Sequence, residues 1–314
     1  MQNTSPKTVV VLGTGGTIAG TAVSADDNVG YAAAQIGVDQ LVRAVPALAG
    51  LPLECEQVAQ LDSKDMGFAV WRALAVRVAH HLARDEVSGV VVTHGTDTLE
   101  ETAYFLHRVL APAKPVAMTA AMRPATSVEA DGPQNLLDAV HLASRPEVQG
   151  VFAVLNSELH GGADLRKVHT HRLDAFSSGD AGLLAVLEGE RLTQWRPWPE
   201  GVSTGLQWLP LEEAGWPRVE IVTSHAGADG TLVRALCEMG VQGLVVAATG
   251  NGTVHRDLET ALIEAQDQGV TVWRSSRCGN GRVLKRADDV LPSAGELTPV
   301  QARVELILQL LSPV

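Results

Sequence analysis

At 314 residues the chain is long enough for one large domain or two, with ample material for a core. Hydrophobic residues make up 46% but aromatics only 4%, so the core must be aliphatic, and 24 basic against 36 acidic residues give a net charge of −12. That balance argues against nucleic acid and anionic lipid as partners, since Lys and Arg largely hold both, and no run of about 18 apolar residues offers a membrane span.

Met1 to Lys7 is polar and leads straight into an apolar run, with no signal-peptide pattern, which suits a cytoplasmic chain or one whose leader has been removed. Cys55, Cys237 and Cys278 lie far apart without a CxxC pair, an odd set that gives neither a disulfide framework nor a zinc motif and fits a reducing compartment.

Thr8 to Leu12 reads as a buried strand ending in Gly13-Thr14-Gly15-Gly16-Thr17-Ile18-Ala19-Gly20. Thr21 to Gly30 has little apolar periodicity and reads as a mobile loop, placed as a lid directly after Thr17 and closed by Tyr31. A short helix over Ile36 to Val45 stops at Pro46, a strand runs from Leu53 to Ala59, and Leu61 to Met66 is a polar turn containing Ser63 and Lys64. The helix over Met66 to Arg84 carries Val70, Leu74, Val78 and Leu82 on one stripe, with His80 and His81 near its end, where a cation suits the dipole.

The central strand, Val90-Val91-Val92-Thr93, ends in His94-Gly95-Thr96-Asp97-Thr98, and Leu99, Ala103, Leu106 and Leu110 then step at helical intervals. Thr96, Asp97 and Thr98 are candidate N-caps, and Glu100 and Glu101 put acid in the first turn. Strands over Pro115 to Thr119 and Val151 to Asn156 flank a helix that begins at Pro133, and Leu165 to Phe176 is dense in Lys, Arg and His. Regular pattern fails from Glu188 to Trp216 among Trp and Pro residues. Strands over Val219–Thr223, Leu244–Ala248 and Val270–Trp273 then alternate with helices near Leu232–Met239, Leu258–Gln268 and Pro299–Leu311. This predicts an α/β protein with a larger N-terminal domain (1–188), a linker (189–216) and a C-terminal domain (217–314) about half its size, each with a mainly parallel sheet flanked by helices.

No GxSxG elbow, P-loop or HExxH is present. The close histidine pairs, His80-His81 and His169/His171, are poor metal-site spacings. A dinucleotide site fits badly as well: Ile18 stands where the third glycine belongs, and Asp39, the nearest ribose-binding acid, falls inside a helical pattern. The positive case is a threonine nucleophile. Thr17 and Thr96 offer hydroxyls beyond two strand ends, Asp97 a carboxylate, and Lys167, between Arg166 and His169, a base if burial and positive neighbours lower its pKa.

The segments Gly13–Gly20 and His94–Ala103 resemble the two signature segments of bacterial L-asparaginases, and Ala121-Met122-Arg123-Pro124, Ala130-Asp131-Gly132-Pro133, Gly250-Asn251-Gly252 and Arg274-Ser275-Ser276-Arg277 match in family order. The resemblance implies hydrolysis of L-asparagine to L-aspartate and ammonia through a β-aspartyl ester on threonine, with minor glutaminase activity allowed. It implies no metal or organic cofactor and a homotetramer, a dimer of dimers, with sites at subunit contacts. By position Thr17 matches the nucleophile and Tyr31 its hydrogen-bond partner, while Thr96, Asp97 and Lys167 match a second triad. Ser63, Lys64, Thr96, Asp97 and Ala120 stand where the family holds its substrate, and Asn251 matches a residue reaching in from a neighbouring subunit.

Two departures bear on substrate. Lys64 stands where relatives commonly carry Gln, and the short loop from Cys278 to Leu291 lacks the Glu that many relatives place over the substrate amino group. An ammonium about 4 Å from the substrate's own costs on the order of 1 kcal/mol in water and about 4 at an effective dielectric of about 20, which predicts weak binding of asparagine if Lys64 faces it. A binding protein that keeps the pocket but is catalytically idle is the reading from another class; retention of all four of Thr17, Thr96, Asp97 and Lys167 weighs against it.

Overall fold

The computed structural model describes residues 7–28 and 30–312, so the polar start up to Pro6 and Val29 of the expected lid lie outside the described residues. The chain divides into two units, Met1–Leu206 and Gln207–Val314.

The first unit runs β1 (Thr8–Gly15), β2 (Thr21–Ala22), β3 (Tyr31–Ala32), α1 (Val38–Arg43), β4 (Leu53–Leu61), α2 (Phe68–Leu82), β5 (Val87–Thr93), α3 (Leu99–Leu110), β6 (Pro115–Thr119), α4 (Gly132–Ala143), β7 (Gly150–Leu155), β8 (Glu158–Gly161), β9 (Arg166–Lys167), β10 (Phe176–Ser177), β11 (Ala185–Glu188) and β12 (Arg191–Gln194). Eight strands form one sheet in the order β12-β11-β8-β7-β6-β5-β1-β4. From β4 to β7 all are parallel. The order reverses at β1, which lies between β4 and β5, and the crevice at such a reversal is where open α/β sheets bind ligands.

β1, β5, β6 and β7 are buried almost throughout, as strands covered on both faces must be. Val9, Val11, Val91, Ala117, Phe152 and Val154 pack with Leu41 of α1 and Leu136 and Val140 of α4 on one face. Helices α2 and α3 cover the other and are pinned together by Trp71, which stacks on Phe105 at 4.9 Å and donates its Nε1–H to Thr102 Oγ1 at 2.9 Å.

The antiparallel end of this sheet departs from the sequence reading. Asn156 and Ser157 both adopt positive φ and fold β8 back on β7, the turn geometry that matches strand twist. Gly189 (φ 64°) and Glu190 likewise join β11 to β12, so the stretch expected to be linker opens with a strand of the first unit.

In the second unit β13 (Val219–Thr223), β14 (Gly243–Ala248) and β15 (Thr271–Ser276) form a parallel sheet flanked by α5 (Thr231–Glu238), α6 (Arg256–Asp267) and α7 (Pro299–Leu311). α7 starts at a reciprocal cap: Thr298 Oγ1 accepts from the Gln301 N–H, and Gln301 Oε1 accepts from the Thr298 N–H. Among the described residues no helix is long and apolar enough to cross a membrane, and no group of three His, Cys, Asp or Glu side chains is placed to hold a metal ion.

Candidate active site

Three turns leave the carboxyl ends of the neighbouring strands β4, β1 and β5, and glycine lets them touch. Gly16, at φ 83° and ψ −172°, has room for hydrogen only, since a Cβ there would lie 2.3 Å from the Gly95 Cα. A Cβ on Gly95 would in turn lie 2.5 Å from Ser63 Oγ. The backbone of the first turn therefore rests directly on that of the second, with Ser63 wedged behind.

Thr17 opens a single 3₁₀ turn directly after this approach and is buried. Its Oγ1 shares a 2.7 Å hydrogen bond with the Tyr31 hydroxyl. Tyr31 is delivered by the small β2–β3 ribbon, where Ala22 pairs with Tyr31 across the base of the lid. The segment expected to be a lid is held by residues after β6: the Ala22 N–H donates to Thr126 Oγ1 at 2.8 Å and Ser127 Oγ to Asn28 Oδ1 at 2.7 Å.

The second turn is built from charge. The Lys167 ammonium donates to Thr96 Oγ1 at 2.9 Å and to Asp97 Oδ1 at 2.6 Å. The Asp97 N–H donates to Ser63 Oγ at 3.2 Å and Thr98 Oγ1 to the Ser63 carbonyl at 2.8 Å. Thr98 is thus the N-cap residue of α3 by position, but its hydroxyl turns to Ser63 rather than to the helix. Thr96 and Asp97 likewise give their side chains to Lys167 instead of capping. The turn trades helix capping for a network that fixes a hydroxyl, a carboxylate and an ammonium together.

Two family models match the chain: the N-terminal asparaginase domain over residues 8–199 and the C-terminal domain of glutaminases and asparaginases over residues 218–312. The chain belongs to the asparaginase family. It is 38% identical to L-asparaginase 2 of Escherichia coli, with 96% of this chain and 88% of that protein covered. It is 37% identical to the glutaminase-asparaginase of Pseudomonas fluorescens, over 94% of this chain and 84% of that protein. A solved structure, that of a probable cytoplasmic L-asparaginase from Campylobacter jejuni, superposes with a TM-score of 0.91 at 36% identity and covers 97% of this chain and 95% of its own.

Of the residues that family resemblance singled out, Thr17 with Tyr31, and Thr96 with Asp97, Lys167 and Ser63, are brought together as two sets on adjoining turns. Ala120 follows β6 beside them, where the His94 N–H donates to the Thr119 carbonyl at 2.8 Å. The Ala120 carbonyl accepts from Asn135 Nδ2 at 2.9 Å, and Asp131 accepts the N–H groups of Met122 and Arg123, so α4 fixes this third edge of the crevice. Neither Asp131 nor Asn135 stood out as a site residue in the sequence, although both lie in or beside the Ala130–Pro133 match.

The sequence leaves Lys64 either facing the substrate or solvated and turned away from it. Its side chain is 62% exposed and its ammonium is engaged by Asp62 at 2.5 Å and Asp65 at 3.7 Å, as the solvated alternative has it. Asn251 lies in the second unit, where its Oδ1 accepts the Leu284 N–H at 2.8 Å.

Two further groups line the second turn. His94 is fully buried with its Nδ1–H donated to the Gly95 carbonyl at 2.7 Å, and burial drives its pKa down to about 4, so it is neutral at pH 7. Glu100, which the sequence placed only as an acid in the first helical turn, has its pKa pushed up to about 7 by burial and then by the neighbouring Glu101, against the pull of the Lys167 main chain and the charges of Arg166 and Lys167.

Proposed function

We propose that the chain hydrolyses the side-chain amide of L-asparagine, giving L-aspartate and ammonia, with glutamine the poorer substrate. The observation that carries this is the fusion of two hydroxyl-bearing turns through Gly16 and Gly95, one offering Thr17 and Tyr31, the other Thr96 bound by Lys167 and Asp97.

In this reading Thr17 Oγ1 attacks the amide carbon and loses its proton into the hydroxyl and lysine network. The C–N bond breaks, the nitrogen leaves as ammonia after taking up a proton, and a β-aspartyl ester remains on Thr17. Water activated by the same groups cleaves that ester. Ser63 and Asp97 hold the substrate's α-carboxylate and α-amino groups, with Ala120 at the amide and Lys64 at the rim. The Asp97 carboxylate is half exposed and bound on one side by Lys167, which suits it to receive an ammonium on the other.

The same reading makes the protein a homotetramer in which Asn251 completes a neighbour's site, and a cytoplasmic one, in keeping with three free cysteines and no disulfide among the described residues. Light scattering showing an active monomer would count against the assembly. Ammonia release by purified protein from asparagine, and more slowly from glutamine, tests the activity. Binding of either amino acid without ammonia release would instead mark a catalytically idle binding protein.

A further inference from the structure

We propose that Asn280 is a self-modification site: the main-chain nitrogen of Gly281 attacks the Asn280 side-chain amide, and with age the chain carries an aspartate or isoaspartate there. Asn251, which stands in the same Gly-Asn-Gly sequence, is protected from this reaction by its contacts. The inference does not depend on the reaction proposed at Thr17.

Gly250-Asn251-Gly252 and Gly279-Asn280-Gly281 are identical tripeptides. An asparagine followed by glycine is prone to this ring closure, because no side chain hinders the glycine nitrogen and glycine adopts the backbone conformations the ring needs. In the unfolded chain the two asparagines should therefore react alike. Both are exposed, and the glycine after each has positive φ, 77° at Gly252 and 86° at Gly281. Neither exposure nor glycine conformation separates them. Their contacts do.

Asn251 is latched to its own loop. Its Oδ1 accepts the Leu284 N–H at 2.8 Å, and its Nδ2 reaches the Leu284 carbonyl at 3.4 Å. The main chain is gripped on both sides, the Gly250 carbonyl by Ser276 Oγ at 2.7 Å and the Gly252 carbonyl by Arg274 Nη1 at 3.2 Å. A Cβ on Gly252 would lie 2.7 Å from Val283 Cγ1, so that glycine has no room to swing. To close the ring, Asn251 must turn its amide away from Leu284, and those contacts are lost before any bond is gained. The Asn280 side chain has no such latch. Among the described residues it makes no hydrogen bond, and a Cβ built on Gly279 or Gly281 would meet nothing within 4 Å.

The reaction needs only water. The Gly281 nitrogen bonds to Asn280 Cγ, the Cγ–Nδ2 bond breaks, and Nδ2 leaves as ammonia with the proton given up by the Gly281 amide. Water then adds to either carbonyl of the succinimide and reopens it. The chain is left joined through the α-carboxyl group, as aspartate, or through the β-carboxyl group, as isoaspartate.

The test incubates the folded, full-length protein at mildly alkaline pH, where the attacking nitrogen gives up its proton more readily, with melting curves to show that the fold persists. Mass spectrometry of the two peptides follows the change from amide to acid, and an isoaspartyl methyltransferase reads the isoaspartate. Asn280 should convert at least about tenfold faster than Asn251. In urea the two rates should converge. In Gly281→Ala, whose methyl group crowds the attacking nitrogen, conversion at Asn280 should fall by about tenfold or more. The proposal is overturned if Asn280 converts no faster than Asn251 in the folded protein, or if the gap between them persists unchanged in urea. It is equally overturned if Asn280 converts undiminished in Gly281→Ala.

Discussion

Thr17 and Thr96 occupy equivalent places, each just beyond the carboxyl end of a central parallel strand and each about equally buried, yet their surroundings differ in kind. Thr17 has one neutral partner, the Tyr31 hydroxyl, carried on a two-residue strand at the base of a lid. Thr96 sits in a charged network whose members come from β9, the turn after β4 and its own turn. A group that must form and break a bond to substrate needs freedom on one side, and Thr17 has it. A group that passes protons needs fixed neighbours of defined charge, and Thr96 has those. In the proposed mechanism the same residue type in the same topological position is thereby given two jobs.

The predictions that break this contrast run from large to small. Lys167→Met strips the charged side of the ammonium bound to Thr96 and Asp97, and turnover should fall by about 10³-fold or more with the fold intact, as checked by steady-state rates and circular dichroism. Gly16→Ala attacks the seam between the turns. Its backbone lies in a region open essentially to glycine alone and its Cβ would meet Gly95, so a loss of about 3 kcal/mol or more in urea unfolding is expected, along with activity.

Beneath the charged turn, His94 is a neutral strut. Its folded pKa of about 4 lies below its ordinary 6.5, so the unfolded chain takes up the proton first, and stability falls by up to about 3 kcal/mol as pH drops from about 6.5 to about 4. Glu100 acts with the opposite slope over part of that range. The measure is therefore the difference between wild type and His94→Asn in unfolding at pH 7 and pH 4.5: the variant should lose less stability on acidification. Lys64→Gln is the smallest effect. With its ammonium already matched by Asp62 and Asp65 in solvent, KM for asparagine should change less than about twofold, where an unpaired lysine facing the substrate would have raised it several-fold.

How much of this was legible in the sequence depended on the range of the signal. Continuous apolar runs such as Val90–Val92 and Leu244–Ala248 report burial residue by residue, and the stripe of α2 does so at Leu74 and Val78 while Val70 and Leu82 at its ends are only half-buried; the strands and helices stand where those patterns put them. The hairpins at Asn156–Ser157 and Gly189–Glu190 were missed because their turns are two residues long and lack the Asn-Gly pairing that announces such a turn. Motif spelling singled out Thr17, Thr96 and Asp97; Lys167 stood out by its basic neighbours, and Tyr31 by family resemblance. A contact to the main chain leaves no such trace: Asn135 Nδ2 on the Ala120 carbonyl places no requirement on the residue type it touches. Lys64 stayed open in the sequence for a related reason, since its neighbours Asp62 and Asp65 become its partners only when the 3₁₀ turn Ser63–Asp65 brings them round it.

The division of labour between the two threonines is tested most directly by ammonia release from L-asparagine in Thr17→Ala, with aspartate binding followed by calorimetry on the same sample. Loss of turnover by about 10⁴-fold or more, with aspartate still bound and the melting curve unchanged, is the predicted result. Turnover within tenfold of the wild type would show that Thr17 is not the group attacked through, and the contrast with Thr96 would lose its chemical meaning.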